Sequence, residues 1–235
     1  MPGGSQPDIM TSTMSRPLSQ LIYTRIQDIP TSPRIITLHG HNQRGSSPEA
    51  LGRAAAPDGR IIGLESYKGV YVGRHIVGYT WYLGPLDRPA PVFFGDALGE
   101  IERFLWDELD RQETDAPERP FLVGLEQGAV MALAAALAAP DLLSGVIAVN
   151  GALPIVPGWE PPLAELDGLP VLVLGDLSAQ SESPVLRRDE LARQLALWGG
   201  TATWLPAESD AERDRAMPAW LARQTPRVGY PAPSQ

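Results

Sequence analysis

Glu126 stands at the centre of Gly124-Leu125-Glu126-Gln127-Gly128. The apolar run Pro120-Phe121-Leu122-Val123 precedes it, and the alanine-rich stretch Val130 to Ala139 follows. The pattern reads as a strand, a glycine-bracketed sharp turn and a helix. A carboxylate at such a turn meets free backbone N–H groups and the positive end of the helix dipole, which favour its charged form. A second carboxylate close by, Glu208 or Asp210, works the other way through like-charge repulsion. A carboxyl tuned in this manner inside a cleft is what general acid–base catalysis uses. The other reading is a solvated glutamate with no chemical task. Apolar walls around an unpartnered carboxylate are costly, which favours the functional reading.

Three histidines are present. His41 has two readings: an acid–base partner or counter-charge facing Glu126, and a loop histidine in solvent. His39 reads as structural, bonded to backbone in its loop. His75, in Arg74-His75-Ile76, belongs to a rim, a lid or the surface. Tyr67, Tyr71, Tyr79, Trp81 and Tyr82 either line a pocket for an acyl or aromatic ligand or cover the sheet edge. Asp176, Glu208 and Asp210 read individually as surface acids. A metal held by His41, Glu126 and Asp210 has no supporting spacing motif, so no metal or other cofactor is expected.

These residues need a scaffold to bring them together. Leu21 to Ile26 reads as an early edge strand. Further strands are expected at 34–38, 60–64, 121–123, 145–149, 170–174 and 201–205. Helices are expected over Phe93 to Gln112, where Leu98, Ile101, Leu105 and Leu109 share a face, and over Gln127–Ala138, Val185–Trp198 and Ala211–Arg223. The alternation argues for a mostly parallel sheet covered on both faces. Ligands of such sheets sit outside the carboxyl ends of the strands. That gathers 39–42, 67–82, Glu126, 150–154, 176–178 and 208–210 around one mouth. Residues 1–17 read as a disordered leader, 18–224 as one domain and 225–235 as a flexible tail.

The chain has 235 residues, enough for one domain with a substantial core. Its net charge of -9 disfavours non-specific binding to nucleic acid or an anionic membrane. The absence of cysteine excludes disulfides, thiolate nucleophiles and cysteine-held metals. The polar N-terminus shows no secretory pattern, and the longest apolar run, Ala129 to Ala139, is too short to span a bilayer. A cytoplasmic location is therefore expected.

The chain resembles the phospholipase/carboxylesterase family of α/β-hydrolases, over roughly Ile35 to Arg223. Leu38-His39-Gly40 is similar to that family's Leu-His-Gly. Gly78-Tyr79-Thr80-Trp81-Tyr82 resembles its aromatic segment before a long surface helix. Leu125-Glu126-Gln127-Gly128-Ala129 resembles its Phe-Ser-Gln-Gly-Ala, and Asn150-Gly151-Ala152-Leu153-Pro154 its Ser-Gly-x-x-Pro. The resemblance implies an α/β-hydrolase fold with a nucleophile elbow at Glu126. It implies an oxyanion hole from the backbone N–H groups of Gln127 and His41. It also implies a pocket bordered by His75, Tyr79, Trp81 and Leu153. The family's acid slot aligns with Ser178, two residues from Asp176, and its histidine slot with Asp210. All three triad positions are then substituted, which removes the ordinary serine hydrolase mechanism.

Two kinds of function follow as expectations. The first is non-hydrolytic acid–base chemistry of epimerase, isomerase, lyase or cyclase type, on a carbonyl-containing small molecule or peptide, with Glu126, His41 and Asp210 as the chemical groups. The second is a ligand-binding protein that keeps the pocket without the chemistry. Residual carboxylesterase or thioesterase activity is a third possibility. No nucleic acid, membrane or cofactor partner is expected, and the oligomeric state is open.

Overall fold

A computed structural model describes residues 21–26, 33–44, 46–175, 188–207 and 209–229. In chain order the first elements are β1 (Ile22–Ile26), β2 (Arg34–Leu38), α1 (Ser46–Ala55), β3 (Arg60–Glu65), β4 (Gly69–Val72), β5 (His75–Tyr79) and α2 (Pro91–Asp110). They continue as β6 (Phe121–Leu125), α3 (Gln127–Ala138), β7 (Gly145–Val149), β8 (Pro170–Leu174), α4 (Arg188–Leu197), β9 (Thr201–Leu205) and α5 (Asp210–Leu221). The main sheet has the order β1-β3-β2-β6-β7-β8-β9. Its strands are parallel except β1, which runs antiparallel along β3. Strands β4 and β5 form a separate antiparallel hairpin.

The strand sequences dictate two cores. Along β7, Val146 and Ala148 face one side while Ile147 and Val149 face the other. Along β8, Val171 and Val173 oppose Leu172 and Leu174 in the same way. A parallel strand buried on both faces must be apolar at every position, and these are. The larger core lies under α2, α3 and α4, with Phe94, Leu98, Ile101, Phe104 and Leu105 presented by α2. The smaller core packs α1 and α5 on the opposite face, through Leu51, Met217 and Trp220. Helix α3 is buried along almost its whole length. Its alanines let it sit between the sheet and α2, where larger side chains would not fit.

Strand β2 has β3 on one side and β6 on the other. The chain therefore winds away in both directions from the gap between β2 and β6. That gap is a topological switch point, where crevices open at the carboxyl ends of strands. The turn holding His39 to His41 and the turn holding Glu126 both emerge there.

Several expectations are refined. Helix α1 and the β4–β5 hairpin were not anticipated. The hairpin occupies part of the segment read as a loop around the mouth, turning at Gly73, whose φ is 61°. Helix α2 starts at Pro91 and ends at Asp110, a shift of two residues at each end from the expected span. The expected leader, the acids Asp176 and Glu208, Ser178 and the start of the helix expected from Val185 lie outside the described residues. Within the expected tail, the described residues up to Gly229 pair with the body of the domain. Arg119 N–H donates to Arg227 O, Gly229 N–H to Pro117 O, and Arg227 N–H to Ser144 Oγ, so backbone pairing holds this stretch. No helix among the described residues is long and apolar enough to cross a membrane.

Candidate active site

Glu126 sits between β6 and α3 with φ 51° and ψ -113°. A non-glycine residue at positive φ is strained, and the strain persists because the neighbours leave no alternative. The two bracketing glycines supply the constraint. A Cβ on Gly124 would lie 2.3 Å from Gly128 O, and a Cβ on Gly128 would lie 2.3 Å from Leu38 O. Helix α3 therefore leaves the sheet at a distance only glycine permits. Glu126 N–H donates to Val149 O at 2.8 Å and Val130 N–H to Glu126 O at 3.0 Å, which pins both sides of the turn.

The Glu126 carboxylate reaches back towards the β2 turn. His41 N–H donates to Glu126 Oε2 at 3.4 Å. The same oxygen rests against Gly40, where an added Cβ would approach it to 2.8 Å. The Gln127 backbone N–H opens α3 and belongs to the first turn, which has no helical acceptor. These are the two donors expected to form an oxyanion hole, and the Glu126 carboxylate itself engages the His41 one.

The Gln127 side chain has a structural task that its sequence position did not reveal. Its Oε1 accepts from Thr80 Oγ1 at 2.8 Å and from Trp81 N–H at 3.1 Å, and its Nε2 donates to Tyr82 O at 3.1 Å. One buried amide thus fixes three consecutive residues against the elbow. His41 Nδ1 lies 3.2 Å from Thr80 Oγ1. The Thr80 hydroxyl has a single proton, and both Gln127 Oε1 and Tyr82 O lie 2.8 Å away to receive it. That leaves the hydroxyl oxygen to accept from His41 Nδ1–H.

His39 is structural, in agreement with its reading from sequence. It is fully buried. Its Nδ1–H donates to Gly40 O at 2.6 Å, and its Nε2 accepts from Ser66 N–H at 3.1 Å. Burial lowers its pKa to about 4; the bond to Gly40 opposes this, and the charge of His41 adds to it. The ring stacks on Trp81 at 4.9 Å between centroids, and Trp81 Nε1–H donates to His39 O at 2.8 Å.

A cavity of about 220 Å³ opens on Glu126, lined by His41, Gly84, Leu86 and Gln127. Of the expected pocket residues, Trp81 is fully buried and belongs to the core. Its indole proton is satisfied inside, so it turns inward. His75 is exposed on the hairpin, opposite Val72. Tyr79 is half-buried, and its backbone bridges to Gln43. Leu153 packs on the larger core. None of these four lines the cavity, while Gly84 and Leu86 do. Leu83-Gly84-Pro85-Leu86 carries a turn signal in its Gly-Pro pair, but nothing local to it tells where the turn points.

Asp210 does not join Glu126. It begins α5, its side chain is 86% exposed, and it pairs with Arg213 at 2.7 Å. It borders a separate cavity of about 110 Å³ with Val149, Asn150, Gly175, Ala207, Ser209 and Arg213. The single mouth expected from the sequence is therefore divided. Among the described residues no group of three or more His, Asp or Glu side chains is arranged to hold a metal ion. A larger groove, about 730 Å³, lies at the opposite end of the sheet between Pro33, Gly59, Phe121 and Leu221, away from the elbow.

Residues 94–174, which include the elbow, match the family model described as Phospholipase/Carboxylesterase. Over that stretch, about a third of its length, the chain is similar to the phospholipase/carboxylesterase family. Among solved structures it is similar to the Bacillus cereus carboxylesterase, with a TM-score of 0.65 and 16% identity over 87% of this chain and 94% of that one. Esterase PE8 gives a TM-score of 0.64 and 22% identity over 87% of this chain and 99% of that one. YahD, solved with malic acid, gives 0.70 and 13% over 87% and 100%. At these identities the structures speak for the fold alone. "Putative esterase NocK" of Nocardia uniformis subsp. tsuyamanensis is 32% identical over 150 residues. That match covers 61% of this chain, which spans only 39% of the length of NocK. Within the matched stretch, the turn between β6 and α3 carries Glu126.

Proposed function

We propose that this chain is an atypical phospholipase/carboxylesterase family member in which Glu126 exchanges a proton with its ligand instead of a serine attacking an ester. The observation that carries this reading is the apex position of Glu126, with the His41 and Gln127 amides beside it. A carboxylate in that place takes a proton from carbon next to a carbonyl. The electron pair left behind moves onto the carbonyl oxygen, and backbone N–H groups stabilise the negative charge there. Return of the proton to the other face gives an epimer, and return to another atom gives an isomer. Loss of a neighbouring group gives a lyase product, and internal attack gives a cyclic one. The ligand class is a carbonyl-containing small molecule or peptide, presented in part to the cavity of about 220 Å³. Asp210 has no part in this scheme, because its carboxylate is turned to solvent and held by Arg213.

A non-catalytic ligand-binding role is the second reading. The engagement of His41 N–H by Glu126 itself favours it, because the donor is not free for a reacting oxygen. Residual ester hydrolysis, the activity named in its relatives, is the third.

Two assays decide among them. In heavy water, carbonyl compounds with an acidic neighbouring C–H are followed by proton NMR with wild type and Glu126→Gln. Deuterium entry with wild type that vanishes in the variant supports proton transfer. A chain-length series of p-nitrophenyl esters and acyl thioesters is run beside it. Hydrolysis that vanishes in Glu126→Gln overturns the proposal in favour of the third reading. Ligand-induced thermal stabilisation without exchange or hydrolysis overturns it in favour of the second.

A further inference from the structure

Glu126 Oε2 lies within reach of His41 N–H and against Gly40, on the donor that the proposed function gives to a ligand carbonyl oxygen. The side chain is long enough to fold back from the apex, and Gly40 offers no Cβ to stop it. The carboxylate accepts from this backbone amide at 3.4 Å, a long contact that an incoming oxygen can replace. The cavity beyond is small, and Gly84 and Leu86 on its border bring no polar side chain to a ligand oxygen.

We propose that Glu126 is the built-in occupant of its own oxyanion site. A ligand oxygen gains His41 N–H only by displacing this carboxylate. The native site therefore prefers uncharged carbonyl ligands over carboxylates, which would meet Glu126 as a like charge. Shortening Glu126 opens a receptor for a free carboxylate of the size of acetate. The proposal rests on the reading above only in placing the ligand in this cavity. It needs no proton transfer, so either can fail alone.

The test reads the His41 backbone amide by ¹⁵N–¹H NMR in wild type, Glu126→Gln and Glu126→Ala, with acetate as the probe. Glu126→Gln keeps a side-chain oxygen at the donor and should bind no acetate. In Glu126→Ala the His41 amide proton should move upfield on losing its acceptor and return as acetate is added. The expected dissociation constant is about 1–10 mM, in keeping with so small a ligand. Wild type should show no such response. An unshifted His41 amide in Glu126→Ala would overturn the proposal, as would equal acetate binding by all three proteins or no acetate response in Glu126→Ala. Glu126→Ser is measured in parallel, so that loss of fold in one shortened variant leaves the other to decide. Turnover is not used as a readout, because all three substitutions remove the carboxyl needed for proton transfer.

Discussion

His41 and Glu126, separated by 85 positions in the chain, meet through one backbone amide and one carboxylate oxygen 3.4 Å apart. The contact joins the turn after β2 to the turn after β6 across the switch point of the sheet. Placing a serine at position 126 would free that donor without adding a base. His39 has both ring nitrogens engaged, His41 Nδ1 is taken up by Thr80 Oγ1, and His75 lies on the hairpin. Glu126→Ser is therefore expected to show no p-nitrophenyl ester hydrolysis above wild type. Strong esterase activity in that variant would place a competent base at the elbow and refute the assignment of the histidine slot to Asp210.

Gly128→Ala should cost roughly 3 kcal/mol or more of stability, because its Cβ would meet the Leu38 carbonyl, which is backbone and cannot rotate away. Gly95, exposed on α2 with open space around its Cβ position, is the control. Gly95→Ala should be neutral or stabilising by about 0.5–1 kcal/mol through helix propensity. Urea unfolding of the pair checks the contrast.

Gln127→Ala should destabilise by about 2–3 kcal/mol, since it strands the Trp81 amide, which is otherwise paired with Gln127 Oε1 inside the protein. The consequence is local. Hydrogen exchange of the Trp81 amide should rise well above that of the β7 amides. Equal protection in variant and wild type would remove Gln127 from its positioning role.

Stability should fall as the solution is acidified through the window set by His39. Its folded pKa, about 4, lies below the ordinary 6.5. Below pH 6.5 the unfolded chain takes a proton that the folded ring refuses, so the folded state loses ground until the pH reaches about 4. The contribution is about 3 kcal/mol over that window. Carboxylate ion pairs weaken in the same direction, so the measurement is a difference. His39→Gln should be less stable than wild type near neutrality and have a flatter curve between these limits. His39 ring resonances that titrate near pH 6.5 would contradict the assignment.

Glu108 is a buried carboxylate held by three arginines. Arg25 comes from β1, Arg34 from β2 with a distance of 3.1 Å, and Arg111 from just past α2. Glu108→Ala removes the partner that Arg25, Arg34 and Arg111 share, at a place where the Arg34 side chain is only 12% exposed. A loss of about 3 kcal/mol is expected, together with faster exchange along the β1 edge. An unchanged melting temperature would show that the cluster does not tie β1 and α2 together.

The sheet was legible because burial on both faces forces a continuous apolar run, as in Gly145–Val149 and Pro170–Leu174, bounded by breakers. The elbow was legible because two glycines bracket a single residue between a strand and an alanine-rich helix. Helix α1 escaped notice because Ser46–Ala55 carries few large apolar side chains, with Leu51 its main anchor in the smaller core. The hairpin escaped because it stands outside the main sheet, so no buried face imposes an alternating pattern on both strands.

The site divides in the same way. Residue type and order along the chain determined that Glu126 occupies an elbow, that His39 is structural and that the turns after Leu38 and Val123 converge. Only the tertiary structure decided where side chains point. An aromatic residue beside a site serves a pocket or a core equally well by composition; the stacking on His39 and the bond to His39 O turned Trp81 inward. An acid beside a strand end suits a mouth or a surface equally well; the start of α5 turned Asp210 outward onto Arg213. The Glu126 carboxylate found the His41 amide through the approach of two distant turns, and such a distance is set by the packing of the sheet, which no local stretch of chain encodes.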